Sequence, residues 1–342
     1  MAPIPAREAS LKSQEIKPEE LRKTIWSVAG GKGGTGKSVL AMNIAIGMAI
    51  FGYDVILIDA DLGVPNLHNY LGVKRPRATL DDFIAKKFKK LSEVIIETPL
   101  DNLHFISGAA NLVGLANLMY SRKQRVIRNI NSLKADIIIV DLGAGISNNT
   151  LDFFNLSSRG IVVTNPEPNA TQDAYFFLKN VLYRRMRLFA KINEPIKRAF
   201  DDYIDRNGNG MFDFGGFREF LNRHQQGARK EYNNFLNEFN PRLIVNKIRS
   251  IRQNGEGTWF INLVKTFLDI EMEYLGGLRF DKRITQSSEK LFPFIYHFPN
   301  ARITKGLFSI LSNLNGIDLP RHEIRTFKQF RTLLKEQQKQ WH

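Results

Sequence analysis

The stretch Thr24-Ile25-Trp26-Ser27-Val28-Ala29-Gly30-Gly31-Lys32-Gly33-Gly34-Thr35-Gly36-Lys37-Ser38-Val39-Leu40-Ala41-Met42-Asn43-Ile44-Ala45 decides the fold. Thr24 to Val28 is a short, β-branched apolar run with the composition of a buried strand. Gly31 to Ser38 then satisfies G-x-x-x-x-G-K-[ST], and Val39 to Ala45 continues as a helix. In that order the glycines let successive backbone N–H groups curl around a phosphate, and the helix N-terminus adds its positive dipole end. Lys37 reaches the β/γ oxygens, and the Ser38 hydroxyl is placed to ligate Mg²⁺. A glycine-rich turn with a chance Lys-Ser is the bland alternative, and it requires neither the strand nor the helix.

Outward from this unit the same alternation repeats. Val55–Asp59, Leu103–Ser107, Asp136–Asp141, Gly160–Thr164, Arg242–Asn246 and Glu273–Leu278 read as further strands. Several are nearly continuous apolar runs, as expected when helices cover both faces of a parallel sheet. The fold class expected is therefore α/β, a doubly wound and mostly parallel sheet. Residues 1–22 are polar, mixed in charge and proline-containing, and read as a flexible tail. Residues 23–320 form the expected domain, interrupted at about 181–240 by charged, Phe-rich, helix-forming sequence. Inside that insertion, Asp205 to Asp213 matches the first nine positions of a calcium loop, but Gly216 stands where the bidentate Glu is needed. A plain helix-turn-helix is the expectation there.

Composition narrows the chemistry. The chain has 342 residues, 43% of them apolar, which suffices for a large core. It has 49 Lys+Arg against 34 Asp+Glu, a formal +15 that attracts anionic partners without choosing among nucleotides, nucleic acid and acidic lipid. There is no cysteine, which removes disulfides, thiol nucleophiles and Cys-ligated zinc or iron–sulfur clusters. The N-terminus lacks an apolar signal-peptide core, so the expected location is cytoplasmic.

Two carboxylate-bearing strand ends complete a pattern: Asp59-Ala60-Asp61, and Asp141-Leu142-Gly143-Ala144-Gly145. With Lys32-Gly33-Gly34-Thr35-Gly36-Lys37-Ser38 as a KGGxGK[ST] loop, the chain resembles the deviant Walker A, or MinD/ParA, class of P-loop ATPases. The resemblance implies ATP and Mg²⁺ as cofactors, bound by Gly31, Lys32, Gly33, Gly34, Thr35, Gly36, Lys37, Ser38 and Val39. It implies that Lys32 contacts the nucleotide of a partner subunit, that Lys37 holds the same subunit's phosphates, and that Asp61 orients the attacking water. These three would be catalytic. Ser38, Asp61 and Asp141 would form the magnesium shell, while Asp59 reads equally as a loop-steadying or metal-shell carboxylate. Asn246 aligns with an adenine-contacting Asn, though a strand-end Asn also caps turns. Arg279 stands where the family usually has proline, a departure in the base pocket. Phosphoryl transfer asks mainly for positioning and charge neutralisation, and this set supplies both.

Within the class, Asp59 to Leu67, Ile106 to Leu118, Asn165-Pro166-Glu167-Pro168-Asn169-Ala170-Thr171-Gln172-Asp173-Ala174-Tyr175 and Phe292 to Asn300 are most similar to FlhG (FleN) proteins. The resemblance covers about residues 23–180 and 240–312. It implies a slow, partner-stimulated ATP hydrolase that dimerises on ATP and acts as a spatial switch for flagellar number or placement, or for cell-pole or division-site positioning. An FlhF-like GTPase or another protein would be its activator. Two other readings stand: a ParA-like ATPase binding nonspecific DNA for chromosome, plasmid or cargo partitioning, and a nucleotide-gated interaction protein with little turnover. Residues 321–342 carry six basic and two acidic residues, with Phe327, Phe330, Leu334 and Trp341 on one helical face. This basic amphipathic helix fits two surfaces equally: an anionic membrane at the inner face of the cell membrane, and the protein's own sheet.

Overall fold

The computed structural model describes residues 24–61, 66–73, 75–108, 120–208, 212–314 and 324–339. In chain order the first half comprises β1 (Thr24–Ala29), α1 (Lys37–Ile50), β2 (Val55–Ala60), α2 (Leu67–Tyr70), α3 (Leu80–Ile84), β3 (Ile96–Glu97), β4 (Leu103–Ile106), α4 (Tyr120–Ile130), β5 (Ile137–Leu142), α5 (Asn148–Phe154) and β6 (Ile161–Thr164). The second half comprises α6 (Pro168–Ala190), α7 (Glu194–Asn207), α8 (Phe214–His224), α9 (Gln226–Asn237), β7 (Arg242–Ile248), α10 (Glu256–Leu268), β8 (Glu273–Arg279), α11 (Lys282–Glu289), α12 (Phe294–His297), α13 (Arg302–Leu314) and α14 (Phe327–Gln338).

The strands form one eight-stranded sheet in the order β3-β4-β2-β5-β1-β6-β7-β8. All the pairings are parallel except the edge pair β3–β4. Every strand read from the sequence is present. The edge strand β3, Ile96–Glu97, was not anticipated, because two residues carry no periodicity.

Strand residues alternate between two cores. Ile137 and Ile139 join α1, α12, α13 and α14 on one face, while Ile138 and Val140 join α5, α6 and the insertion helices on the other. The helix α1 is buried almost all round, which explains why Leu40 to Ile50 reads as apolar without a polar stripe. Both faces being covered fixes the strand register, since a one-residue slip would exchange the two side-chain sets.

The insertion is helical as expected, but it has no boundary at residue 181. The helix α6 runs unbroken to Ala190, because Phe177, Val181, Leu182 and Met186 keep one apolar face on the core. The helices α7, α8 and α9 then enclose an aromatic cluster of Phe200, Tyr203, Phe212, Phe217, Phe220 and Tyr232. Arg218 pairs with Asp269 at 2.8 Å and ties α8 to the end of α10. Of the calcium-like loop, residues 209–211 lie outside the described residues. Asp213 is the N-cap of α8: its two carboxylate oxygens accept the Gly215 and Gly216 N–H groups at 3.1 and 3.0 Å. Among the described residues no cluster of His, Cys, Asp or Glu is arranged to hold a metal ion on its own.

The C-terminal amphipathic face is packed on the protein itself. Phe330 and Leu334 are fully buried against α1 and α13. Phe330 meets Phe51 edge-on with ring centroids 5.5 Å apart and lies 5.3 Å from Phe308. Of the two surfaces the sequence left open for this helix, the structure describes the docked one, with Phe330 and Leu334 seated on the protein itself. Trp341, the N-terminal tail 1–22 and the Ala109–Leu118 motif lie outside the described residues. No described helix is long and apolar enough to cross a membrane. Because Phe330 closes a three-ring contact, Phe330→Ala should lower unfolding stability by about 3 kcal/mol in urea titration. A change within about 0.5 kcal/mol would contradict this docking.

Candidate functional site

The loop Gly30–Gly36 joins the central strand β1 to α1 at the carboxyl end of the sheet. Local backbone demands explain its glycines. Gly36 has φ +94°, and a Cβ there would lie 2.5 Å from the Asn246 side-chain nitrogen. A Cβ on Gly31 would lie 2.1 Å from the backbone oxygen of Asp173, so the loop packs directly on the start of α6.

The two loop lysines face different ways. Lys37 is only 7% exposed, and its ammonium donates to the Lys32 carbonyl at 3.1 Å. Burial lowers its pKa, while Asp141 and then Asp61 oppose that shift. Lys32 points outward with 40% of its side chain exposed, 3.6 Å from Glu167 at the head of α6.

Parallel pairing of β2 with β5 sets Asp59 directly opposite Asp141. Asp59 accepts the N–H groups of Leu67 and Asp61, each at 3.2 Å. Burial nevertheless pushes its pKa up to about 7, against the lowering effect of those hydrogen bonds. Asp141 is raised well above the usual carboxylate range, first by burial and then by the Asp59 charge, with Ser38 and Lys37 opposing. Ser38 faces it, yet neither Asp141 oxygen closes a hydrogen bond of normal geometry among the described residues. Ser38, Val39, Asp59, Asp61, Tyr70 and Asp141 line a cavity of about 280 Å³.

These residues fit a magnesium ion. The donors are hard oxygens, one hydroxyl and two carboxylates, and Mg²⁺ is ordinarily completed by phosphate and water rather than by an all-protein cage. Asp141, a buried carboxylate whose oxygens close no hydrogen bond of normal geometry among the described residues, is with its neighbouring carboxylates the electrostatic complement of a divalent cation. The structure therefore brings together Lys37, Ser38, Val39, Asp61 and Asp141, with Asp59 behind them as the residue that ties down the turn after β2. Asn246 reaches the same loop, but its amide nitrogen donates to the Thr35 carbonyl at 2.9 Å and its oxygen accepts the Lys247 N–H at 2.9 Å. Sequence reasoning missed Glu167, the counter-ion of Lys32, and Lys247, whose ammonium donates to the Gly34 carbonyl at 2.6 Å. For Lys247 the available signal was its position directly after Asn246 at a strand end. Beside Lys32 and Glu167 lies a second, more apolar cleft of about 600 Å³, between the start of α6 and α10, lined by Pro166, Pro168, Tyr175, Arg252, Trp259 and Leu263.

Residues 21–196 match the sequence profile of the ParA family, described as an NUBPL iron-transfer P-loop NTPase. The chain belongs to the ParA family of P-loop NTPases. Iron transfer through thiolates has no basis in this member, which contains no cysteine. The chain is 23% identical over 298 residues to antiactivator FleN of Pseudomonas aeruginosa, covering 86% of this chain and 88% of that protein. It is 35% identical over 164 residues to the flagellum site-determining protein YlxH of Helicobacter pylori, covering 45% of this chain and 52% of that one. An uncharacterised ATP-binding protein of Methanocaldococcus jannaschii is 33% identical over 148 residues, 43% of this chain and 55% of that one. The match thus spans about half the length of the last two. Among solved structures, the septum site-determining protein MinD of Pyrococcus horikoshii in complex with Mg-ADP has a TM-score of 0.59 at 18% identity, covering 88% of this chain and all of that one. A ParA family ATPase of Chlorobium tepidum has a TM-score of 0.54 at 16% identity, covering 86% of this chain and 99% of that one. These likenesses establish the shared fold.

The carboxylate pair generates a pH prediction. A carboxyl whose folded pKa is raised favours the folded state below its unfolded pKa, and that contribution is lost as pH rises through the folded value. Asp59, at about 7 in the fold, and Asp141 beside it therefore destabilise the ligand-free protein at pH 8 relative to pH 5. Asp141→Asn should raise the ligand-free melting temperature at pH 8 by about 2 °C or more, with the gain shrinking by pH 5. An equal gain at both pH values would contradict the charge origin.

Proposed function

We propose that this chain is a Mg-ATP-dependent dimerising ATPase that acts as a spatial positioning switch of the FlhG/MinD kind. The observation that carries the reading is the divergence of the two loop lysines: Lys37 is turned into its own loop, whereas Lys32 is presented outward at the carboxyl edge of the sheet. A second copy of the chain, docked face to face, would receive Lys32 on its own bound phosphates. The surroundings support such a face. Ile146, Ile251 and Phe280 are exposed just after the carboxyl ends of β5, β7 and β8, and Trp259 is exposed on α10, apolar side chains at the same end of the sheet that a partner copy would cover.

In the mechanism this geometry supports, the loop N–H groups and Lys37 bind and orient the phosphates. Ser38, Asp61 and Asp141 would hold Mg²⁺, which when bound neutralises charge on the phosphate oxygens. Asp61 lines the same cavity, where a carboxylate can orient water toward the terminal phosphorus. ATP closes the dimer and hydrolysis opens it. The relatives named flagellum site-determining and septum site-determining support a positioning role. For the surface engaged in the ATP state, an anionic membrane reached by α14 requires that helix to leave its seat on α1 and α13, while the formal +15 also suits duplex DNA.

Lys37→Ala should abolish ATP binding in calorimetry, and retained micromolar binding would contradict the loop assignment. Lys32→Ala should keep ATP binding and lose the ATP-dependent dimer in sedimentation velocity, whereas an intact dimer would remove the cross-subunit role. Co-sedimentation of the full chain with anionic liposomes and with nonspecific duplex DNA, each with ATP and with ADP, separates the membrane from the DNA branch. Turnover unaffected by either surface or by a protein activator would favour a nucleotide-gated interaction protein instead.

A further inference from the structure

The end of β7 reaches the phosphate loop from behind. Lys247 donates its ammonium to the Gly34 carbonyl at 2.6 Å, and Asn246 donates its amide to the Thr35 carbonyl at 2.9 Å. These carbonyls belong to successive peptides of the loop. In a trans peptide the C=O and the following N–H point in opposite directions, and this chain has no cis peptide among its described residues. Holding the Gly34 and Thr35 carbonyls toward β7 therefore turns the Thr35 and Gly36 N–H groups away from β7, into the concave side of the loop. They join there the free N–H groups of the first turn of α1. Consecutive N–H groups aimed into one concavity form an anion nest.

The sequence supports this placement with a local backbone device. The β7–β8 ladder is irregular between Val245 and Ile248, and Lys247 itself sits at φ +59°, a left-handed conformation that non-glycine residues rarely adopt. The irregularity takes Lys247 out of the strand register and aims its side chain at the loop. The Asn246 side chain holds the same turn by accepting the Lys247 N–H at 2.9 Å.

We propose that Lys247 is a positioning residue for phosphate binding, fixing the peptide orientation of Gly34 and, with Asn246, the shape of the anion nest. The inference rests on the nucleotide-binding reading above and deepens it.

The test compares the full-length chain with Lys247→Gly and Lys247→Arg in the presence of Mg²⁺. Glycine adopts positive φ freely, so it removes the ammonium while relieving the backbone. Affinities for ATP, GTP and inorganic tripolyphosphate are measured by calorimetry or displacement, alongside the ligand-free melting temperature. The expected result is that Lys247→Gly loses about tenfold or more in affinity for all three ligands, with an unchanged ATP-to-GTP ratio and a melting temperature equal to or above that of the unsubstituted chain. Lys247→Arg should recover most of the loss. Unchanged affinity for tripolyphosphate in Lys247→Gly would overturn the proposal, as would a loss confined to the preference for ATP over GTP. A loss of affinity that tracks a lowered melting temperature and is not rescued by arginine would overturn it in favour of a purely structural role. Failure of the unsubstituted chain to bind ATP or tripolyphosphate would overturn the nucleotide-binding reading itself, a result distinct from the others.

Discussion

Two buried carboxylates face each other across a parallel ladder, and much of the structure around the loop follows from having to accommodate them. Asp59 and Asp141 are partners in the β2–β5 register, each almost fully buried. Like charges this close and this dry do not both ionise without a compensating cation. The nearest protein cation is Lys37, itself held below its ordinary pKa by burial, so the three groups are mutually dependent. Asp59 is further occupied by the backbone of Asp61 and Leu67, while the Asp141 oxygens, with no closed hydrogen bond among the described residues, face the cavity that Asp61 also lines. A site so arranged is incomplete as protein alone, and phosphates with a divalent cation satisfy it from outside.

The topology makes this arrangement inexpensive to build. The strand β1 lies at the centre of the sheet, with β5, β2 and β4 on one side and β6, β7 and β8 on the other. Chain connections diverge there, so the loop after β1 opens into a crevice at the carboxyl ends of the strands, the usual ligand position in open α/β sheets. From one flank β2 and β5 deliver carboxylates. From the other, β6 delivers Glu167 at the head of α6, and β7 delivers Asn246 and Lys247. The loop is thus flanked by the strand-end carboxylates of β2 and β5 and held from the β7 side by an amide and an ammonium donor.

What was legible in the sequence depended on range. The strands are apolar runs whose period is local, and the loop is a contiguous motif whose spacing carries its own chemistry, so both could be read directly. The Asp59 and Asp141 strand ends were legible for the same reason. Contacts from Asn246 and Lys247 to the loop span more than 200 residues, and no local pattern encodes them. The C-terminal helix shows the same limit. Its stripe of Phe327, Phe330 and Leu334 announces burial, but a stripe does not say against what, and Phe51, against which Phe330 packs, comes from the other end of the chain. The start of α8 is local by contrast, since the Asp213 carboxylate accepts the Gly215 and Gly216 N–H groups within three residues.

The docked C-terminal helix also constrains how any surface-binding state is reached. Burial of Phe330 and Leu334 stabilises the docked form by about 2 kcal/mol for each side chain, and both would be re-exposed to water if the helix simply undocked. An acyl boundary is as apolar as the protein core, so insertion there restores that burial and removes most of the penalty. What then distinguishes the two states is electrostatic. Lys328, Arg331, Lys335 and Lys339 lie on the helix with Glu336 as the opposing charge. Each basic residue gains about 1 kcal/mol near an anionic leaflet at physiological salt. The apolar contribution therefore nearly cancels, and the charge contribution decides between the two states. Part of the seat of α14 is α1, whose first residues are Lys37 and Ser38, so one helix touches both the loop and the C-terminal helix.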